Sequence, residues 1–175
     1  NGELRVESGA QVTSSGPTTL GVNSGNNGTV TVAGSGSQLS SNALTVGSQG
    51  NGTLAINNAG EVNVTAINTG ISIGESPNGI GTVTVSDSGS RLSSLLLTVG
   101  NQGKGNLIIE NGGKVTTNSF GTIAASSTSN SQVFVKGNGE WTSGTLYIGQ
   151  AGNGTLTITD GGKVNVGGQS SVAQI

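Results

Sequence analysis

Eight carboxylates, Glu3, Glu7, Glu61, Glu75, Asp87, Glu110, Glu140 and Asp160, carry what acid–base or metal-ligating capacity this chain has, because it contains neither His nor Cys. A glycosidase needs two carboxylates roughly 5–10 Å apart across one sugar bond. Glu7 and Glu110 close matching phrases, yet whole copies of a sequence repeat lie between them. A calcium-assisted lyase needs a cage of about six to eight oxygens. Asp87 and Asp160 share one place in that repeat, but the copies between them carry Asn111 and Gly137 there. No catalytic residue, metal ligand set or cofactor is therefore nominated, and the chain is expected not to be an enzyme. Lack of Cys also excludes disulfides and thiolate sites. A formal charge of −2 gives no basic footprint for phosphates, so nucleic acid is not an expected partner. No run approaches the ~20 apolar residues of a membrane helix, and no charged-then-apolar leader opens the chain, so this segment is not expected to insert in a membrane.

What must position these side chains is a repeat. A phrase of the type Gly-Thr-Leu-x-Ile returns with its first apolar residue at Leu4, Val30, Leu54, Val83, Leu107, Val133 and Leu156. With 33 Gly, 31% apolar and 2% aromatic residues, one copy cannot bury its own apolar side chains. It must stack on its neighbours, which makes a solenoid. Abundant Val, Ile and Thr in an ordered pattern exclude a disordered chain.

Each copy holds three short alternating runs, the pattern of strands with one buried face. The first is marked by pairs such as Leu54/Ile56, the second by Val12, Leu39, Val62, Leu92, Val115, Trp141 and Val164. The third is marked by Leu20/Val22, Leu44/Val46, Ile71/Ile73, Leu97/Val99, Gly121/Ile123 and Leu146/Ile148. Gly, Asn, Ser and Pro77 punctuate the corners. The prediction is an all-β, right-handed parallel β-helix of about seven turns, three short strands per turn, forming a rod of roughly 30–35 Å. A propeller blade would need about 40 residues and four strands. The outward column Gln11, Gln38, Glu61, Arg91, Lys114, Glu140, Lys163 predicts charge pairs between turns.

The phrases Val46-Gly47-Ser48-Gln49-Gly50-Asn51-Gly52-Thr53-Leu54 and Ile148-Gly149-Gln150-Ala151-Gly152-Asn153-Gly154-Thr155-Leu156-Thr157-Ile158, the latter continued by Asp160-Gly161-Gly162-Lys163-Val164, resemble the repeats of bacterial autotransporter passenger regions. The resemblance covers the chain and is loosest in the copies around Leu107 and Val133. It implies a right-handed β-helix carried across the outer membrane by a separate C-terminal barrel, then displayed on the bacterial surface or released. Residues 1–175 would be one segment of a longer passenger, and many relatives are adhesins or self-association factors.

Outward residues offer the remaining candidates. Thr29/Thr31, Thr53/Ala55, Thr82/Thr84 and Thr155/Thr157 form paired Thr columns, which suit exposed strands and also resemble some ice-binding faces. Asn27, Asn51, Asn63 and Asn153 open Asn-x-Thr sequons, while Asn-Gly at the corner suits a tight turn and an amide ladder. Ile108, Phe134 and Tyr147 break the polar pattern and are the binding candidates, placed to meet a partner molecule or sugar ring, or to fold against Ser126 to Asn130. Trp141 falls in an inward column. The expected function is adhesion or self-association, with self or a host glycan or protein as partner. The alternatives are a passive stalk, a polysaccharide-active enzyme or an ice-binding protein.

Overall fold

The structure is a computed structural model that describes residues 1–65 and 68–172. Its strands lie in two parallel sheets wound as a right-handed β-solenoid of about seven turns. One sheet stacks β1 (Gly2–Glu7), β3 (Asn27–Ala33), β5 (Asn51–Asn57), β8 (Ile80–Ser86), β10 (Lys104–Glu110), β12 (Asn130–Val135) and β14 (Asn153–Ile158) in chain order. The other contains β2 (Gln11–Leu20), β4 (Gln38–Val46), β6 (Glu61–Val64), β7 (Ile71–Ile73), β9 (Arg91–Val99), β11 (Lys114–Ile123), β13 (Glu140–Ile148), β15 (Lys163–Val166) and β16 (Ser170–Val172). Register follows the repeat, with Leu54 beside Val30 and Val83. The core is the set of stacked columns between the sheets. Val6, Val32, Ile56, Val85, Ile109 and Val135 are all fully buried in one of them.

The second and third runs of a turn are one strand in β2, β4, β9, β11 and β13, and two strands only in β6/β7 and β15/β16. An inward hydroxyl residue marks the unbroken turns. Ser14, Ser41, Ser94, Thr117 and Ser143 stack in one column, whereas Val64 follows Ser41 and Val166 follows Ser143 in the broken turns. Three of these hydroxyls donate to carbonyls two residues on: Ser14 to Gly16 (3.1 Å), Ser41 to Ala43 (2.8 Å) and Ser143 to Thr145 (2.7 Å). That bond serves a backbone group at the bend, which Val cannot do. β2 and β11 each carry one extra residue at this bend, so that Pro17 meets Ala43 and Phe120 meets both Leu96 and Thr145.

One expected pairing is corrected. Leu20 lies beside Val46 and Thr18 beside Leu44, so Thr18/Leu20 replaces Leu20/Val22 in the third run. Val22 is 52% exposed. The next corner sets this register: Gly21, Gly47, Gly74, Gly100, Ala124 and Gly149 all have positive φ, and the residue before each must be the last inward one.

That corner alternates in length. Leu20 to Gly28, Ile73 to Gly81 and Ile123 to Ser131 are long, while Val46 to Gly52, Val99 to Gly105 and Ile148 to Gly154 are two residues shorter. Each short corner seats on the long one before it. Gln49 and Gly50 N–H both donate to Gly21 O (3.1 and 2.8 Å), and Asn51 N–H donates to Asn26 O (2.9 Å). A Cβ on Gly50 would lie 2.4 Å from the carbonyl oxygens of Asn23 and Asn26; on Gly103, 2.3 Å from those of Ser76 and Gly79. The protein therefore repeats every two turns.

Candidate functional site

Hydrogen bonds within a parallel ladder consume the backbone, so outward side chains are what the molecule offers to a partner. On the β1–β14 sheet they form continuous columns. One runs Glu3, Thr29, Thr53, Thr82, Asn106, Gln132, Thr155, and the next runs Arg5, Thr31, Ala55, Thr84, Ile108, Phe134, Thr157. Ile108 and Phe134 are thus neighbours on adjacent strands, both half-buried. Tyr147 lies in the other sheet, in the column Thr45, Ser72, Thr98, Thr122, Tyr147. The three candidates form two separate places.

Tyr147 has a companion that sequence reasoning passed over. The rings of Tyr147 and Phe120 stack with centroids 6.3 Å apart and planes 14° from parallel. Phe120 is 46% exposed and stands outward just after the β11 bulge. Alternation from the inward Thr117 to the inward Gly121 places it outward, so the strand pattern was enough to find it. Trp141 is fully buried and its Nε1–H donates to Thr117 Oγ1 at 3.1 Å.

Most of the carboxylates have local structural partners. Arg5 pairs with Glu3 at 2.9 Å, and Lys136 with Glu110 at 3.1 Å. Ser72 and Asn101 both donate to Glu75, Asn101 at 3.0 Å. Asp87 and Asp160 adopt φ of 72° and 49° at the corner after the first strand, a conformation Asp and Asn tolerate, and Asp87 Oδ2 accepts from Asn58 N–H at 3.2 Å. Among the described residues no three Asp or Glu gather as a metal cage would require. The charged column is in register. Glu61 meets Arg91 at 3.9 Å, and Lys114 donates to Glu140 at 2.9 Å. The hydrogen bond and charge of Lys114, then the charge of Lys163 and a bond from Asn165, hold the Glu140 carboxyl below its ordinary range against an opposing effect of burial.

At the corner preceding the first strand, Asn51 Nδ2 donates to Asn27 Oδ1 at 2.9 Å, the expected amide ladder. Ile80 and Lys104 interrupt that column before Asn130 and Asn153 resume it. Beside the interruption lies a shallow notch lined by Ile80, Thr82, Lys104, Asn106, Asn130 and Gln132. In it, Asn106 Oδ1 is buried and accepts no hydrogen bond.

Comparison of the chain with protein-family models, with curated proteins and with solved structures gives no match.

Proposed function

We propose that this β-solenoid is a segment of a surface-displayed or secreted bacterial passenger, of the autotransporter kind, acting in adhesion or cell–cell self-association through its repetitive polar faces. The observation behind this is the unbroken register of the outward columns, above all Thr29, Thr53, Thr82, Asn106, Gln132 and Thr155. Parallel sheets in α/β proteins are covered by helices on both faces. Here the outward face holds hydroxyl and amide groups at one spacing, about 4.8 Å per turn, which suits a partner of similar period. Many weak hydrogen bonds then add through linked contacts rather than through one anchor.

The test is to replace Thr29, Thr53, Thr82 and Thr155 together by Lys in cells displaying the full protein, with display checked by antibody. Clumping or adhesion should fall at least about tenfold, whereas any one substitution should change it less than about twofold. Full clumping with the whole column replaced would overturn the adhesive role and leave the rod as a stalk.

A further inference from the structure

We propose that the outward face of the β1–β14 sheet docks on the same face of a second copy of this chain, antiparallel, about a two-fold axis that passes between β5 and β8. This rests on the self-association reading and names its partner and geometry.

The distribution of charge on the face selects the arrangement. The middle strands β3, β5 and β8 carry no charged residue. Charge lies on either side of them. β1 holds two carboxylates, Glu3 and Glu7, against one guanidinium, Arg5, and is net negative. Lys104 and Glu110 on β10, with Lys136 just after β12, make the other side net positive. A two-fold axis lying in the contact plane, perpendicular to the rod, keeps each outward column on itself and reverses the order of strands. Placed between β5 and β8, it sets β1 on β12, β3 on β10 and β5 on β8 of the second copy.

Glu7 then meets Lys136 of the second copy, Arg5 lies over its Phe134, and Thr31 covers its Ile108. Within its own copy Glu7 reaches one cation among the described residues, Arg5 at 3.9 Å, and Arg5 sits closer to Glu3 at 2.9 Å. Glu7 therefore has room for a second partner. A guanidinium over a ring face is a favourable contact, and it gives Phe134 a cover that its own turn does not supply.

Other arrangements of the two faces fit less well. A parallel pair, with the axis along the Arg5 column, sets Arg5 on Arg5 and Glu3 on Glu7. An antiparallel pair centred on β5 puts Glu7 against Glu110. One centred on β8 puts Lys136 against Ala33 and Phe134 against Thr31, and neither favourable pair is made. The chosen contact spans six strands, roughly 29 Å by 20 Å, or about 600 Å² a side, at the low end for specific complexes. It is weak between two molecules and gains strength where many copies face one another.

Sedimentation equilibrium of the isolated chain, run up to near-millimolar concentration, tests the contact. The parent should show a concentration-dependent dimer. Glu7→Lys sets a lysine against Lys136 at both symmetric contacts, and Lys136→Glu sets a glutamate against Glu7. Each variant alone should dimerise at least about fivefold more weakly. Mixed one to one, the two should associate as the parent does, because every such contact in the mixed dimer again joins a lysine to a glutamate. A folding defect in either variant cannot produce that rescue. Phe134→Thr, which matches Thr157 beside it in β14, should weaken the parent dimer by about threefold or more. A parent that stays monomeric, single variants that dimerise as the parent does, or a mixture no tighter than its components overturns the assignment. Cells that lose clumping on Thr replacement while the parent stays monomeric refute this contact and leave adhesion standing. A dimer in solution with clumping intact leaves the contact and refutes the adhesive role.

Discussion

Trp141 and Gly121 are one packing solution spread over two positions. Trp141 occupies a column held elsewhere by Val or Leu, and a Cβ on Gly121 would lie 2.7 Å from Trp141 Cζ2. The indole fills space that Leu97 and Leu146, beside Gly121, fill in their own turns. Trp141→Val alone should leave a cavity and an unpaired Thr117 hydroxyl, costing about 2–4 kcal/mol. Gly121→Leu alone should overpack, costing about 1–3 kcal/mol. The double variant should lose less than the sum of the two by about 1–3 kcal/mol in urea denaturation, and strict additivity would refute the coupling. The sequence shows both departures from the pattern, Trp among Val and Gly among Leu. Their connection crosses the core, and no spacing along the chain reveals it.

At the scale of strands, the charged column joins β6, β9, β11, β13 and β15, and its consequence is a pH dependence. Because the folded Glu140 carboxyl titrates below its ordinary value near 4.5, the ionised form favours folding. That contribution is fully present above the unfolded value and is lost as pH falls through the folded one. Glu140→Gln should therefore be less stable than the parent at pH 7, and the gap should close as pH drops below about 4.5. Urea midpoints at pH 7, 4.5 and 3 measure it; a gap constant with pH would show that the pairing with Lys114 contributes nothing. This column was legible because strand register follows the repeat. The continuity of the second and third runs was not, since a Ser at an inward position reads as corner material. Val64 and Val166 extend the apolar alternation, yet the strand stops there and runs on where Ser or Thr stands instead.

For the molecule as a whole, the repeat announced the solenoid, its seven turns and its inward columns. The two-turn period stayed hidden because the Gly-Thr-Leu phrase recurs in long and short copies alike, and only the nesting of corners separates them. Deleting residues 30–82 removes a long and a short corner and leaves Gln102 and Gly103 to seat on Gly21. Deleting residues 30–53 removes the short corner alone and sets two long corners against each other. The larger deletion should be the more stable protein, because Asn101 to Lys104 re-form on the first corner the N–H bonds that Ser48 to Asn51 make, each worth about 1 kcal/mol, whereas the smaller deletion leaves them unmade. Nearest-neighbour stacking without alternation predicts the reverse order, since stability then grows with the number of turns. The denaturation midpoints decide between them.

The nested corners also govern inheritance. Unequal recombination between such similar copies would lengthen or shorten the gene, and exchanges in even phase would keep every short corner seated on a long one, whereas odd-phase products would carry the stability loss of two mismatched corners.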